Sequence, residues 1–223
     1  MARITPISVV ILISGSGSNL QAIINAANAG HCPIHISAVI SNRPDVKGLE
    51  RAQLAGIKTE VIDHTQFDGR DAFDQALINR IDAYQPALIV LAGFMRILTE
   101  RFVTHYTGRL LNIHPALLPD FPGLNTHERA LESGVKQHGA SVHFVTTEVD
   151  GGPIVLSASV PVRPDDTARV LADRVLKQEH LIYPLAIKWY AEGRLVLENN
   201  KPLLDKKELS DTGLNYAEVK EKQ

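Results

Sequence analysis

Apolar residues fall along this chain in two alternating rhythms. Short β-branched runs, beginning with ISVVILI at Ile7–Ile13, alternate with stretches in which apolar positions recur at helical spacing. The first rhythm predicts strands over residues 7–13, 35–41, 57–62, 87–91 and 109–113. The second predicts helices over 19–29, 46–55, 70–84 and 99–105. Strands this uniformly apolar lack the in-and-out alternation of a half-solvated sheet, so they must be covered on both sides. The expectation is an α/β, Rossmann-like fold with a mostly parallel twisted sheet and helices on both faces.

After residue 114 the pattern changes. Pro115, Pro119 and Pro122 in HPALLPDFPG fix an extended loop that cannot pair regularly. A helix over 126–133 follows, then strands over 141–147 and 154–162. Between those strands, Val149-Asp150-Gly151-Gly152-Pro153 predicts a turn and hence an antiparallel hairpin added to the sheet toward the C-terminus. A final helix over 166–193 carries Leu171, Val175, Ile182 and Ala186 on one stripe, and Pro184 predicts a kink or break near its middle. The polar run from 206 to 223 reads as surface or frayed.

Charge and composition narrow the partners. Lys and Arg number 23 against 25 Asp and Glu, a net charge of −2, so no global positive field exists to hold nucleic acid or an anionic membrane. The Ile7–Ile13 run is far shorter than a membrane span and lacks a cleavage site, so a cytoplasmic setting is expected. One cysteine, Cys32, forms no internal disulfide, and no Cys/His cluster has zinc spacing, which predicts a metal-free site.

Three segments could carry chemistry. Ser14-Gly15-Ser16-Gly17-Ser18-Asn19 follows the first strand and opens the first helix, where backbone N–H groups and the helix dipole favour an anion. It departs from the dinucleotide fingerprint, with Leu20 at the third glycine position. Gly17, Ser18 and Asn19 therefore hold a monophosphate, or the segment is a tight turn capped by Ser18 or Asn19. In Asn112-Ile113-His114-Pro115, period-two geometry puts Asn112 and His114 on one side of a strand end, where open α/β sheets bind ligands; a histidine bonded into a loop wall is the alternative. Asp150 on its Gly-Gly turn orients that imidazole or merely caps the turn. Two further features point inward. Glu179 lies on the apolar stripe of the last helix, and Gly93–Leu98 is an apolar loop, with Arg96 its one charge, suited to a flat ring system.

Taken together, SGSGSNLQAI, LAGFMRIL, LLNIHPALLP, FPGLNTHERAL, SVHFVTTEVDGGP and QEHLIYP, in that order over residues 14–184, resemble the folate-dependent phosphoribosylglycinamide formyltransferases of purine synthesis. The resemblance extends over nearly residues 7–198. It implies the formyltransferase fold, with Asn112, His114 and Asp150 as the catalytic trio. It implies that Gly17, Ser18 and Asn19 hold the phosphate of glycinamide ribonucleotide, with Leu176, Lys177, Gln178 and Glu179 lining that substrate's sugar end. The formyl donor, 10-formyltetrahydrofolate, maps onto Arg70, onto Met95, Arg96, Ile97 and Leu98 for the pterin, and onto Asn112, Thr146, Thr147, Glu148, Val149 and Asp150. One domain is expected over 1–200, with a nucleotide-phosphate half over about 1–110 and a folate and catalytic half over about 111–200, followed by a polar tail over 201–223. The implied partners are two small molecules, without nucleic acid, membrane or metal, on a monomer or weak homodimer. A formyltetrahydrofolate hydrolase and a non-catalytic nucleotide-binding protein of the same fold are the alternatives.

Overall fold

A computed structural model describes residues 5–220. The chain divides into two compact units between Leu111 and Asn112.

The first unit runs β1 (Ile7–Ile13), α1 (Ser18–Asn28), β2 (Ile34–Ser41), α2 (Lys47–Leu54), β3 (Thr59–Val61), α3 (Arg70–Asp82), β4 (Leu88–Leu91) and α4 (Glu100–His105). Its strands are parallel in the order β4-β1-β2-β3. Val9 to Ile13 are fully buried, as expected of a central strand covered on both faces. Ile13 pairs with Ser41 and Leu12 with Leu91, so the loops after β1, β2 and β4 leave from one edge. In such sheets that carboxyl edge is where ligands are held. On α3, Phe73, Asp74, Leu77, Ile78 and Ile81 form the buried stripe.

β5 (Leu110–His114) carries the chain across the boundary. The second unit continues with α5 (Thr126–Ser133), β6 (Gln137–Phe144), β7 (Ile154–Pro161), α6 (Ala168–Ala191), β8 (Leu195–Glu198), β9 (Lys201–Leu204), β10 (Lys207–Glu208), β11 (Leu214–Asn215) and α7 (Tyr216–Lys220). β6 and β7 form the antiparallel hairpin that the Asp150 turn predicts, with Ser141 opposite Ser157. α6 packs on both strands of it.

Two expectations narrow. Of the kink or break expected at Pro184, the break is absent, since α6 is one helix of 24 residues running through it. Pro184 removes a hydrogen bond and crowds the preceding turn, but Leu171, Val175, Ile182, Ala186 and Ile187 are all fully buried on both sides of it. Tertiary packing thus outweighs the local cost. The run from 206 lies at the surface, as one of its two readings had it, but over residues 206–220 it carries β10, β11 and α7 rather than fraying, while 221–223 lie outside the described residues. β8, β9 and β10 form an antiparallel ladder, and β11 adds in parallel to β7. Asn199 and Asn200, at φ 50° and 61°, make the two-residue turn between β8 and β9. Arg194 then forks onto Asp205, donating Nε–H and Nη2–H at 2.8 and 2.7 Å. Among the described residues no helix is long and apolar enough to cross a membrane.

Candidate active site

In the first unit, Gly17 stands at the N-cap of α1 in the left-handed region at φ 69°, with no side chain of its own to bond the helix end. The turn is held by backbone and by α2. Gly48 N–H donates to Gly15 O at 3.0 Å, and Arg51 Nε–H donates to Ser16 O at 2.9 Å. A Cβ on Gly17 would lie 2.6 Å from Gly48 Cα, so both the torsion and the close approach require glycine there. The result is a helix N-terminus presented by a loop of fixed shape, which suits an anion.

Ser14, 5% exposed, links this loop to the one after β4. Its hydroxyl donates to Asn42 Oδ1 at 2.6 Å and accepts Met95 N–H at 2.7 Å. At the far end of that second loop, the buried Asp74 accepts Thr99 N–H at 2.6 Å, and Arg96 lies 5.8 Å from the Phe73 ring centroid. Burial raises the Asp74 carboxyl above the ordinary aspartate range. Anchored at both ends, the loop turns the Met95 and Ile97 side chains outward, each more than half exposed. Arg70, at the start of α3, is exposed.

In the second unit one of the two residues aligned by period two on β5, His114, meets the expected carboxylate. His114 Nδ1 lies 3.3 Å from Asp150 Oδ2, and its Nε2 lies 2.8 Å from Phe121 O. The same Asp150 oxygen accepts Gly123 N–H at 2.9 Å. Both ring nitrogens of His114 thus face acceptors, an arrangement that fully satisfies the doubly protonated ring. Asp150 reaches this position from the left-handed region, at φ 52°. Two positions along, a side chain on Gly152 would strike the Phe144 carbonyl, so the turn tolerates no Cβ there.

His143 on β6 completes the arrangement. Its Nδ1 lies 2.9 Å from Phe144 O, and because a carbonyl only accepts, Nδ1 carries the proton. Burial holds the ring well below the ordinary histidine range, outweighing the opposite pull of Asp150, so His143 is neutral. Its Nε2 lone pair therefore accepts from Asn112 Nδ2 at 3.0 Å. That bond fixes which end of the Asn112 amide is the donor and leaves the second N–H of the group for a ligand. Behind His114, the buried His138 stands 3.2 Å from His127 on α5; burial pushes His138 down to about 4 and lowers His127 as well.

Thr146, Thr147, Glu148 and Val149 lie on the loop leading to Asp150, with Val149 about half exposed. On α6, Glu179 is 7% exposed, whereas Leu176 and Gln178 are half-buried and Lys177 is exposed. The structure thus joins Asn112, His114 and Asp150 into one cluster, and separately ties the Ser14 loop to the Met95 loop. Sequence reasoning passed over the orienting bond of His143, the Phe121 carbonyl and the His127–His138 pair. Among the described residues no group of three or more His, Cys, Asp or Glu is placed to hold a metal ion.

Comparison with known proteins agrees with this arrangement. The formyl transferase family model matches residues 7–187. A phosphoribosylglycinamide formyltransferase of Escherichia coli (strain K12) is 54% identical over 206 residues, which is 92% of this chain and 97% of the relative. The human trifunctional purine biosynthetic protein adenosine-3 is 46% identical over 192 residues, 86% of this chain and 19% of that longer protein. A solved phosphoribosylglycinamide formyltransferase from Coxiella burnetii superposes with a TM-score of 0.91 at 52% identity, covering 95% of this chain and 99% of the other. With its His–Asp pair at a strand end and such likeness over nearly its whole length, the chain belongs to the formyl transferase family, and within it to the phosphoribosylglycinamide formyltransferases.

Proposed function

We propose that this chain transfers the formyl group of 10-formyltetrahydrofolate to the amine of glycinamide ribonucleotide, giving formylglycinamide ribonucleotide and tetrahydrofolate. The observation that carries the reading is the buried His114–Asp150 pair beside an Asn112 amide whose donor end is set by His143. The amine lone pair attacks the formyl carbon, forming a C–N bond and placing charge on the carbonyl oxygen. Asn112 N–H is the donor available to that oxyanion, and the protonated His114, held between Asp150 and the Phe121 carbonyl, supplies positive charge beside it. Collapse breaks the bond between the formyl carbon and the folate nitrogen, which takes up a proton as the new amide loses one. Asp150 stabilises the imidazolium and relays that proton through water.

The remaining assignments are those the family resemblance implies. Gly17, Ser18 and Asn19 take the phosphate at the N-terminus of α1, and Leu176 to Glu179 take the sugar. Met95, Arg96, Ile97 and Leu98 take the pterin, while Arg70 and Thr146 to Val149 complete the donor site. The test is formyl transfer with and without the nucleotide. Nucleotide-dependent release of tetrahydrofolate is expected. Release without nucleotide would identify a hydrolase, and no release a non-catalytic binder.

Because Ser14 anchors the Met95 amide, Ser14→Ala is expected to raise KM for the formyl donor about tenfold and leave kcat nearly unchanged. Ser14→Thr, which keeps the hydroxyl, restores it. Steady-state kinetics with the donor varied checks both.

A further inference from the structure

We propose that Arg129, outside the reacting cluster, is a positioning residue that holds the His114–Asp150 pair through the loop between β5 and α5. The inference rests on the reading of that pair given above. Phe121 and Gly123 each supply one backbone group to the pair: the Phe121 carbonyl faces His114 Nε2 at 2.8 Å, and Gly123 N–H donates to Asp150 Oδ2 at 2.9 Å. The orientation of both side chains therefore depends on a short stretch of main chain.

That stretch holds Phe121 in a conformation a bulky side chain does not favour. Phe121 has φ 53° and Asn125 φ 56°. The left-handed region costs a bulky L residue free energy, so the loop must be held from outside. Its first part is held by Ser141, whose hydroxyl donates to Ala116 O at 2.8 Å and accepts Leu118 N–H at 3.0 Å. Thr126 Oγ1 donates to Pro115 O at 2.8 Å. The stretch that touches the pair is held by Arg129. Its Nη1 donates to Pro122 O at 2.6 Å, with Leu124 O at 3.4 Å, and its guanidinium lies 5.6 Å from the Phe121 ring centroid. The His138 ring meets the same Phe121 ring edge-on at 5.8 Å. A planar cation that both stacks on an aromatic ring and bonds the next carbonyl fixes that peptide in position and angle.

The test compares Arg129→Ala and Arg129→Lys with the unmodified full-length chain, reading kinetics and the His114 ring N–H by NMR. Arg129→Ala is expected to lower kcat about tenfold while KM for both substrates stays within about twofold. The His114 Nε2–H resonance, sheltered by the Phe121 carbonyl, should exchange away in the same variant. Arg129→Lys, which keeps a cation and one donor, recovers part of both signals. A folded Arg129→Ala chain with unchanged kcat and an unchanged His114 resonance overturns the proposal, as does a lower kcat with that resonance intact. Loss of the resonance in a chain whose unmodified form transfers no formyl group supports the positioning role and removes the enzymatic reading of the pair.

Discussion

His114→Ala is expected to lower kcat by roughly 10²- to 10⁴-fold with a modest change in KM, because it removes the positive charge beside the oxyanion and the partner that orients Asp150 for proton transfer. Asp150→Asn is expected to follow it, since an amide can still accept from Gly123 N–H but cannot balance the charge of an imidazolium. The two losses should be far from additive, as the side chains act as one unit. Steady-state formyl transfer with each variant and with the double variant measures this directly. A near-normal kcat in either single variant would remove that residue from the mechanism.

Acid should destabilise the fold well above the range where most carboxylates titrate. His127, His138 and His143 all have native pKa values lowered by burial, to about 4 for His138, while an unfolded histidine titrates near 6.5. As pH falls below about 6.5 the unfolded chain binds protons that the native rings refuse, so stability is lost. The loss for His138 ends below about pH 4, where its native ring is also protonated. Each such ring contributes up to about 1.4 kcal/mol per pH unit across its window, so the group accounts for a loss on the order of a few kcal/mol. Urea midpoints at about pH 7.5 and about pH 5 provide the measurement, and His138→Leu should flatten the dependence. Midpoints that do not move would mean the rings take up protons in the native state.

Much of this was legible in the chain. The alternation of apolar runs and helical stripes located the strands of the first unit to within two residues, because strands buried on both faces leave little room for polar residues. Asn112 and His114 were recognisable as a pair from strand periodicity and the proline that follows. That Asp150 meets His114 was only one of two readings of the turn, favoured by the family resemblance, because the meeting depends on a left-handed torsion at Asp150 that no local pattern marks. His143 read in the sequence as a core polar residue or one supporting the site from behind. Its orienting role appears only when Phe144 O fixes the tautomer. The C-terminal ladder was missed because its strands are only two to four residues long, although Asn199-Asn200 between two short apolar runs was a usable turn signal.

β11 pairs only Leu214 and Asn215 with Leu156 and Ser157, yet it occupies the outer side of a strand of eight residues. A strand edge left open is a template on which another copy can build, so these two pairs are expected to guard that stretch of the edge against self-association. Shortening the chain before Leu214 would expose that ladder. The consequence would appear in solubility on storage and during refolding at high concentration, while the chemistry at His114 stayed intact.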